Sequence, residues 1–105
     1  MNRLSIYFLT YNRIHENIFK SLNVIASFNE ELKSCIDVYI VNDNSNNKDY
    51  ELKLQEILKS KKYNFINYKK NSTNLGIVSN YLNSAFECET EYVQFICDDD
   101  YIQKN

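Results

Sequence analysis

A chain of 105 residues has room for one domain around one hydrophobic core. With 44% hydrophobic and 25% charged residues it has an ordinary globular composition, and a net charge of -2 gives a nucleic-acid partner no electrostatic support. No apolar run approaches the roughly 18 residues of a membrane span and no signal-peptide pattern is present. A cytoplasmic location is therefore the default expectation, at the cytoplasmic face of a membrane in a longer protein.

Leu4 to Thr10 is short, β-rich and almost continuously apolar, which predicts a buried strand. Tyr11-Asn12-Arg13 is turn-like, and His15 reads as a surface or capping histidine. A helix is expected from Glu16 to Phe28, with Ile18, Leu22, Ile25 and Ala26 on one face. Asn29 to Ser34 reads as a polar connection. Cys35 to Val41 predicts a second strand, ending in the turn formers Asn42 to Asn47. A helix follows over Asp49 to Ser60, with Leu54, Ile57 and Leu58 inward. Tyr63 to Tyr68 predicts a third strand, and its flanking lysines place it near a sheet edge. After the loop Asn71 to Gly76 comes a strongly periodic helix, whose apolar face is Val78, Tyr81, Leu82, Ala85 and Phe86. Tyr92 to Cys97 predicts a fourth strand, running into Asp98-Asp99-Asp100.

The expected fold class is therefore α/β, a Rossmann-like three-layer sandwich with a mostly parallel sheet of about four strands. Right-handed crossovers place helices on both faces and all strand carboxyl ends on one edge, where open α/β sheets bind ligands. Tyr11-Asn12-Arg13, Asp43-Asn44-Ser45, Asn74-Leu75-Gly76 and Asp98-Asp99-Asp100 should converge there.

Each candidate has a plain structural alternative. Asp43 could accept hydrogen bonds from a ligand's ring N–H or ribose, or it could hold an Asx-turn or helix cap. Gly76 could open a helix start to phosphate, or it could be a bare turn glycine. Neither G-x-G-x-x-G nor a P-loop is present. Asp98, Asp99 and Asp100 are hard oxygen ligands suited to Mg²⁺ or Mn²⁺, or else a solvated acidic turn. Cys35, Cys88 and Cys97 lack zinc-site spacing and an even count, and read as reduced, mostly buried thiols.

Together these stretches resemble family 2 glycosyltransferases of the GT-A fold. Leu4 to Arg13 is similar to that family's opening strand and T-Y-N-R turn, and Val41 to Ser45 to its V-D-D-x-S motif. Asn74-Leu75-Gly76 with Asn80 is similar to its N-x-G…N stretch, and Phe95 to Asp100 to its strand ending in D-x-D-D. The resemblance spans the whole chain but only the first half of a typical catalytic domain. It implies inverting transfer of a sugar from a nucleotide diphosphate donor, UDP-sugar by default, to a sugar or glycan acceptor hydroxyl, with Mn²⁺ or Mg²⁺. It also implies a hexosyltransferase type of enzyme and a role in surface polysaccharide synthesis.

By the same resemblance, Thr10, Tyr11, Arg13, Asp43, Asn74, Gly76 and Asp98 would hold the nucleotide-sugar, with Asp43 on the base. Asp99, with Asp100, would meet the metal. Asn42 and Cys97 stand where the family has acids, so Asp43 carries its motif alone and the metal falls to the shifted aspartates. The family's general base lies beyond the region matching residue 105, so the chain reads as a fragment or truncated relative, inactive alone. The alternative is a non-catalytic interaction module dimerising through an exposed sheet edge. A phosphotransfer receiver domain is set aside, because Thr10-Tyr11-Asn12 offers no acids after the first strand.

Overall fold

The structure, a computed structural model, describes residues 3–96. In chain order it contains β1 (Leu4–Thr10), α1 (Glu16–Ala26), the single turn α2 (Glu30–Lys33), β2 (Ile36–Asn42) and α3 (Lys48–Lys59). A 3₁₀ turn (Lys61–Tyr63), β3 (Ile66–Lys70), α4 (Ile77–Glu87) and β4 (Tyr92–Ile96) follow. The strands form one all-parallel sheet in the order β3-β2-β1-β4. The two longest strands, β1 and β2, are thus central, and lysine-rich β3 takes an edge. Among the described residues no helix is long and apolar enough to cross a membrane.

The helices start where short polar side chains can bind free backbone N–H groups. His15 Nδ1 accepts from Asn17 N at 3.0 Å, so the histidine is a cap of α1. Asn47 Oδ1 accepts from Tyr50 N at 3.0 Å and starts α3 in the same way. Asn29 Oδ1 accepts from Leu32 N at 2.8 Å, which turns the expected connection into a one-turn helix. From α1 the inward stripe is Ile18, Leu22 and Ile25, and from α3 it is Tyr50, Leu54 and Ile57. Both stripes pack on Ile6, Phe8, Val38, Ile40 and Ile96, and Ile14 completes this core. Each fully buried aliphatic side chain there contributes about 1.5–3 kcal/mol.

Strand alternation sends Tyr7, Tyr39 and Phe95 to the opposite face. Tyr7 stacks on Tyr39 at 4.6 Å between ring centroids and on Phe95 at 5.6 Å. The Lys69 ammonium sits 4.8 Å from the Tyr39 centroid and pairs with Glu87 at 2.8 Å, tying β3 to the end of α4. Tyr81 of α4 lies against Phe95 at 4.0 Å.

Three expectations need correction. The third strand starts later than Tyr63, because Ser60 Oγ accepts from Lys62 N and winds residues 61–63 into the 3₁₀ turn. Cys35 is exposed and Cys88 half-buried, so these thiols are not core residues. The largest revision concerns α4. Its buried residues are Asn80 and Ser84, while Val78 is 71%, Leu82 50% and Phe86 88% exposed. Periodicity identifies the helix, but a polar network turns its polar stripe to the sheet.

Candidate functional site

The carboxyl ends of the strands are joined by hydrogen bonds that outrun the ladder. Asp43 N donates to Thr10 O at 2.9 Å, and Asn71 N donates to Asn42 O at 2.9 Å. The turns beyond them use asparagine in left-handed conformation, Asn12 at φ 56° and Asn44 at φ 59°. Asn12 N donates to Ser45 Oγ at 2.7 Å and Asn12 Oδ1 accepts from Asn46 N at 2.9 Å, locking the turn after β1 to the turn after β2. Asn42 is fully engaged: Oδ1 accepts from Ser45 N at 2.7 Å and Nδ2 donates to Tyr68 Oη at 3.0 Å. The residue that stands in place of the family's first acid is therefore an interior brace.

Asp43 is the hub. Its side chain is 3% exposed, and a buried carboxylate requires donors. Oδ1 accepts from Asn71 Nδ2 at 2.8 Å and Leu75 N at 2.8 Å, and Oδ2 accepts from Gly76 N at 3.0 Å. Asn74 Nδ2 donates to the Asp43 main-chain carbonyl at 3.2 Å. Asp43 thus holds, from a different strand, the two loop residues that lead into α4. Its charge sits at the positive end of that helix, where it is stabilising. The Asx-turn at its own position is held by Asn42, and the cap of α3 by Asn47.

Gly76 begins α4 at φ 81° and ψ 166°, a conformation open essentially to glycine alone. A Cβ at this position would meet nothing within 4 Å, so the backbone angle, not crowding, demands the glycine. Asn80, buried at 3%, accepts from Asn71 Nδ2 at 2.9 Å. Asn71 therefore bridges Asp43 and Asn80, and this bridge holds the polar side of α4 inward.

A cavity of about 260 Å³ opens here, lined by Leu9, Thr10, Tyr11, Asp43, Ile77, Asn80 and Tyr81. Its walls are aromatic and aliphatic, with Asp43 and Asn80 as polar groups, the make-up of a small-molecule site. The Thr10 hydroxyl donates to Val41 O at 2.8 Å and shares a hydrogen bond with the Tyr50 hydroxyl. Burial pushes the Tyr50 phenol up to about 12, against the opposing hydrogen bonds from Thr10 and Ser45. Thr10 meets the cavity as a wall, with its hydroxyl turned to structure. A larger groove of about 700 Å³ lies at the opposite, amino-terminal edge of the sheet, beside Lys33, Lys61 and Lys62. It shares no residue with this site.

Of the predicted site residues, Thr10, Tyr11 and Asp43 share the cavity, and Asn74 and Gly76 bond to Asp43. Arg13 is exposed in the turn after β1. Asp98, Asp99 and Asp100, with Cys97, lie outside the described residues. Among the described residues no three His, Cys, Asp or Glu side chains form a metal-binding group. Asn71 and Tyr50 have no signal in the sequence beyond a turn former in a polar loop and an aromatic in a helix.

Comparison with known proteins separates the possibilities. The model for glycosyl transferase family 2 matches residues 5–105. The chain belongs to that family. The crystal structure of S. aureus TarS superimposes with a TM-score of 0.66 at 28% identity, covering 97% of this chain and 17% of TarS. The structure of S. aureus TarS 1-349 gives a TM-score of 0.65 at 25% identity, covering 95% of this chain and 28% of that one. No curated protein matches by sequence. This member of glycosyl transferase family 2 thus has the α/β sheet of the GT-A fold and spans less than a third of either TarS chain.

Proposed function

We propose that this chain is the donor-binding half of an inverting glycosyltransferase of the hexosyltransferase type. It takes a nucleotide diphosphate sugar, UDP-sugar by default, for transfer to a sugar or glycan acceptor in polysaccharide synthesis. The observation that carries the reading is the cavity at the strand carboxyl ends, where Asp43 and Asn80 lie between aromatic walls. Tyr11, half-exposed, offers a face for a base, and Gly76 leaves the start of α4 bare for a ligand's approach.

The metal is assigned to Asp99 and Asp100, which follow β4 in sequence, with Asp98 toward the ribose and sugar. Their carboxylates are the hard oxygen donors that Mn²⁺ or Mg²⁺ prefers. When bound, the ion supplies positive charge against a diphosphate leaving group. Asp43 is assigned to the nucleotide base and not to the acceptor hydroxyl, and three hydrogen bonds hold its carboxylate in place. It is also the only carboxylate among the described residues that line the cavity. A general base would therefore come from outside the described lining of the cavity.

The test is thermal denaturation with UDP and Mn²⁺. The midpoint should rise for the wild type, and Asp99→Ala should abolish the rise. Failure of every nucleotide diphosphate to stabilise the wild type would refute the proposal. A second reading, a binding module, draws on the outward apolar side of α4 and on the outer edge of β4, unpaired among the described residues. A dimer in size-exclusion chromatography that is indifferent to UDP favours that second reading.

A further inference from the structure

Asn80 borders the cavity, yet the nucleotide-binding role assigned above does not require it. Its orientation follows from the chemistry of its neighbours. Asp43 receives two backbone N–H groups that can only donate, so it acts as an acceptor. The Asn71 atom 2.8 Å from Asp43 Oδ1 must then be the amide nitrogen. That same NH₂ group lies 2.9 Å from Asn80 and carries a second hydrogen. Two NH₂ groups cannot bond to each other, so Asn80 turns its oxygen to Asn71 and its own NH₂ away. The carboxylate thus fixes both asparagine amides in turn.

No described residue accepts a hydrogen bond from Asn80 Nδ2. Among the described residues no buried side-chain nitrogen or oxygen is without a partner, so Nδ2 must reach accessible space. Asn80 is only 3% exposed, and the space it borders is the cavity it shares with Asp43. The cavity therefore offers an N–H donor from Asn80 beside an acceptor, Asp43, in which Oδ2 holds a single internal bond.

We propose that Asn80 is a specificity-determining residue that reads the base of the donor nucleotide. A planar pyrimidine imide, the edge of uracil, presents an N–H flanked by a carbonyl. The N–H would meet Asp43, and the carbonyl would accept from Asn80 Nδ2. Tyr11 and Tyr81 line the same cavity and supply aromatic surface for a planar ring. This inference rests on the nucleotide reading above. It adds the residue that selects the base.

The test is UDP binding by isothermal calorimetry, comparing the wild type with Asn80→Asp and Asn80→Ala. Asn80→Asp keeps the size and still accepts from Asn71, but it replaces the donor with an acceptor. UDP should bind it at least tenfold more weakly than the wild type, and the ligand analogues below separate a direct contact from a displaced wall. A ligand-side measurement guards against misfolded variants. UDP analogues with the 2- or 4-carbonyl replaced by thiocarbonyl, a weaker acceptor, should bind the wild type several-fold more weakly for one of the two positions. That difference should vanish in Asn80→Ala. Equal UDP affinity for the wild type and Asn80→Asp overturns the inference and leaves the nucleotide site standing, as does a wild type indifferent to both thio substitutions. A wild type that binds no UDP overturns the nucleotide reading, and this inference with it.

Discussion

Removal of the Asp43 carboxylate should loosen one corner of the protein even with no ligand present. In Asp43→Ala, Leu75 N, Gly76 N and Asn71 Nδ2 lose their acceptor at once. Hydrogen bonds to a charged group contribute about 1.5–3 kcal/mol each where water cannot replace them. Leu75 and Gly76 lie in a half-exposed loop that water can reach, so the expected net loss is about 2–4 kcal/mol. Domains of this size have roughly 5–15 kcal/mol to lose. With a urea slope of about 2 kcal/mol per molar, the unfolding midpoint should fall by roughly 1–2 M. Amide exchange localises the effect, since Leu75 and Gly76 should lose protection while Val38 and Ile40 keep theirs. Asp43→Asn, which retains one acceptor oxygen, should fall between the two. A midpoint for Asp43→Ala indistinguishable from wild type would refute this anchoring role. The same experiment bears on function: loss of nucleotide binding in Asp43→Ala cannot by itself prove base contact, because the wall of the site moves with it.

Gly76→Ala should cost about 1–3 kcal/mol in urea denaturation, all of it from backbone conformation, since the added methyl has open space; no change would show that the loop relaxes freely. Alkaline titration should destabilise the fold between pH 10 and 12. The folded-state pKa of Tyr50 is raised by burial from 10.0 to about 12, so its contribution is complete below pH 10 and falls as the unfolded chain alone loses protons. Two pKa units correspond to about 2–3 kcal/mol, and Tyr50→Phe should flatten the pH slope of the urea midpoint. Tyr7, also raised to about 12 by burial and by Tyr39 beside it, adds in the same direction. The double variant Leu82→Lys with Phe86→Lys should stay within about 0.5 kcal/mol of wild type and gain solubility; a loss above about 2 kcal/mol would show that this side of α4 is packed.

The order of strands and helices was legible because hydrophobic period and turn chemistry agree along most of the chain. Leu4 to Thr10 has few alternatives to a buried strand, and Ile18, Leu22 and Ile25 none but one helix face. The convergence of Thr10, Tyr11, Asp43, Asn74 and Gly76 followed from parallel topology alone. What stayed hidden depends on partners distant in sequence. Nothing local to Asp43 says that it binds the loop before a helix 33 residues away, at Gly76. The orientation of α4 was misread for the same reason. A stripe of Val78, Leu82 and Phe86 normally marks the buried side, but the Asn71–Asn80 bond and the small Ser84 draw the other side to the sheet. The start of β3 was misjudged because an aromatic, Tyr63, is as suitable for a 3₁₀ turn packed on Phe65 as for a strand.

The pairing of β1 with β4 carries a kinetic meaning. Leu4 lies opposite Tyr92, so the chain must close a loop of nearly its whole described length before this pairing forms. Loop closure on that scale is slow relative to the nearer pairing of β1 with β2, which also spans seven residue pairs rather than five. The β1-β2-β3 half should therefore assemble first and release last, with β4 docking onto a finished platform. Amide exchange at Val93 should be faster than at Val38, and equal protection would contradict this order. The aspartates assigned to the metal continue from the strand that docks last. A ligand that binds the proposed aspartate site only in the docked state would stabilise that docking by its own binding free energy, so ligand affinity and the closing step of folding would be one equilibrium measured from two ends.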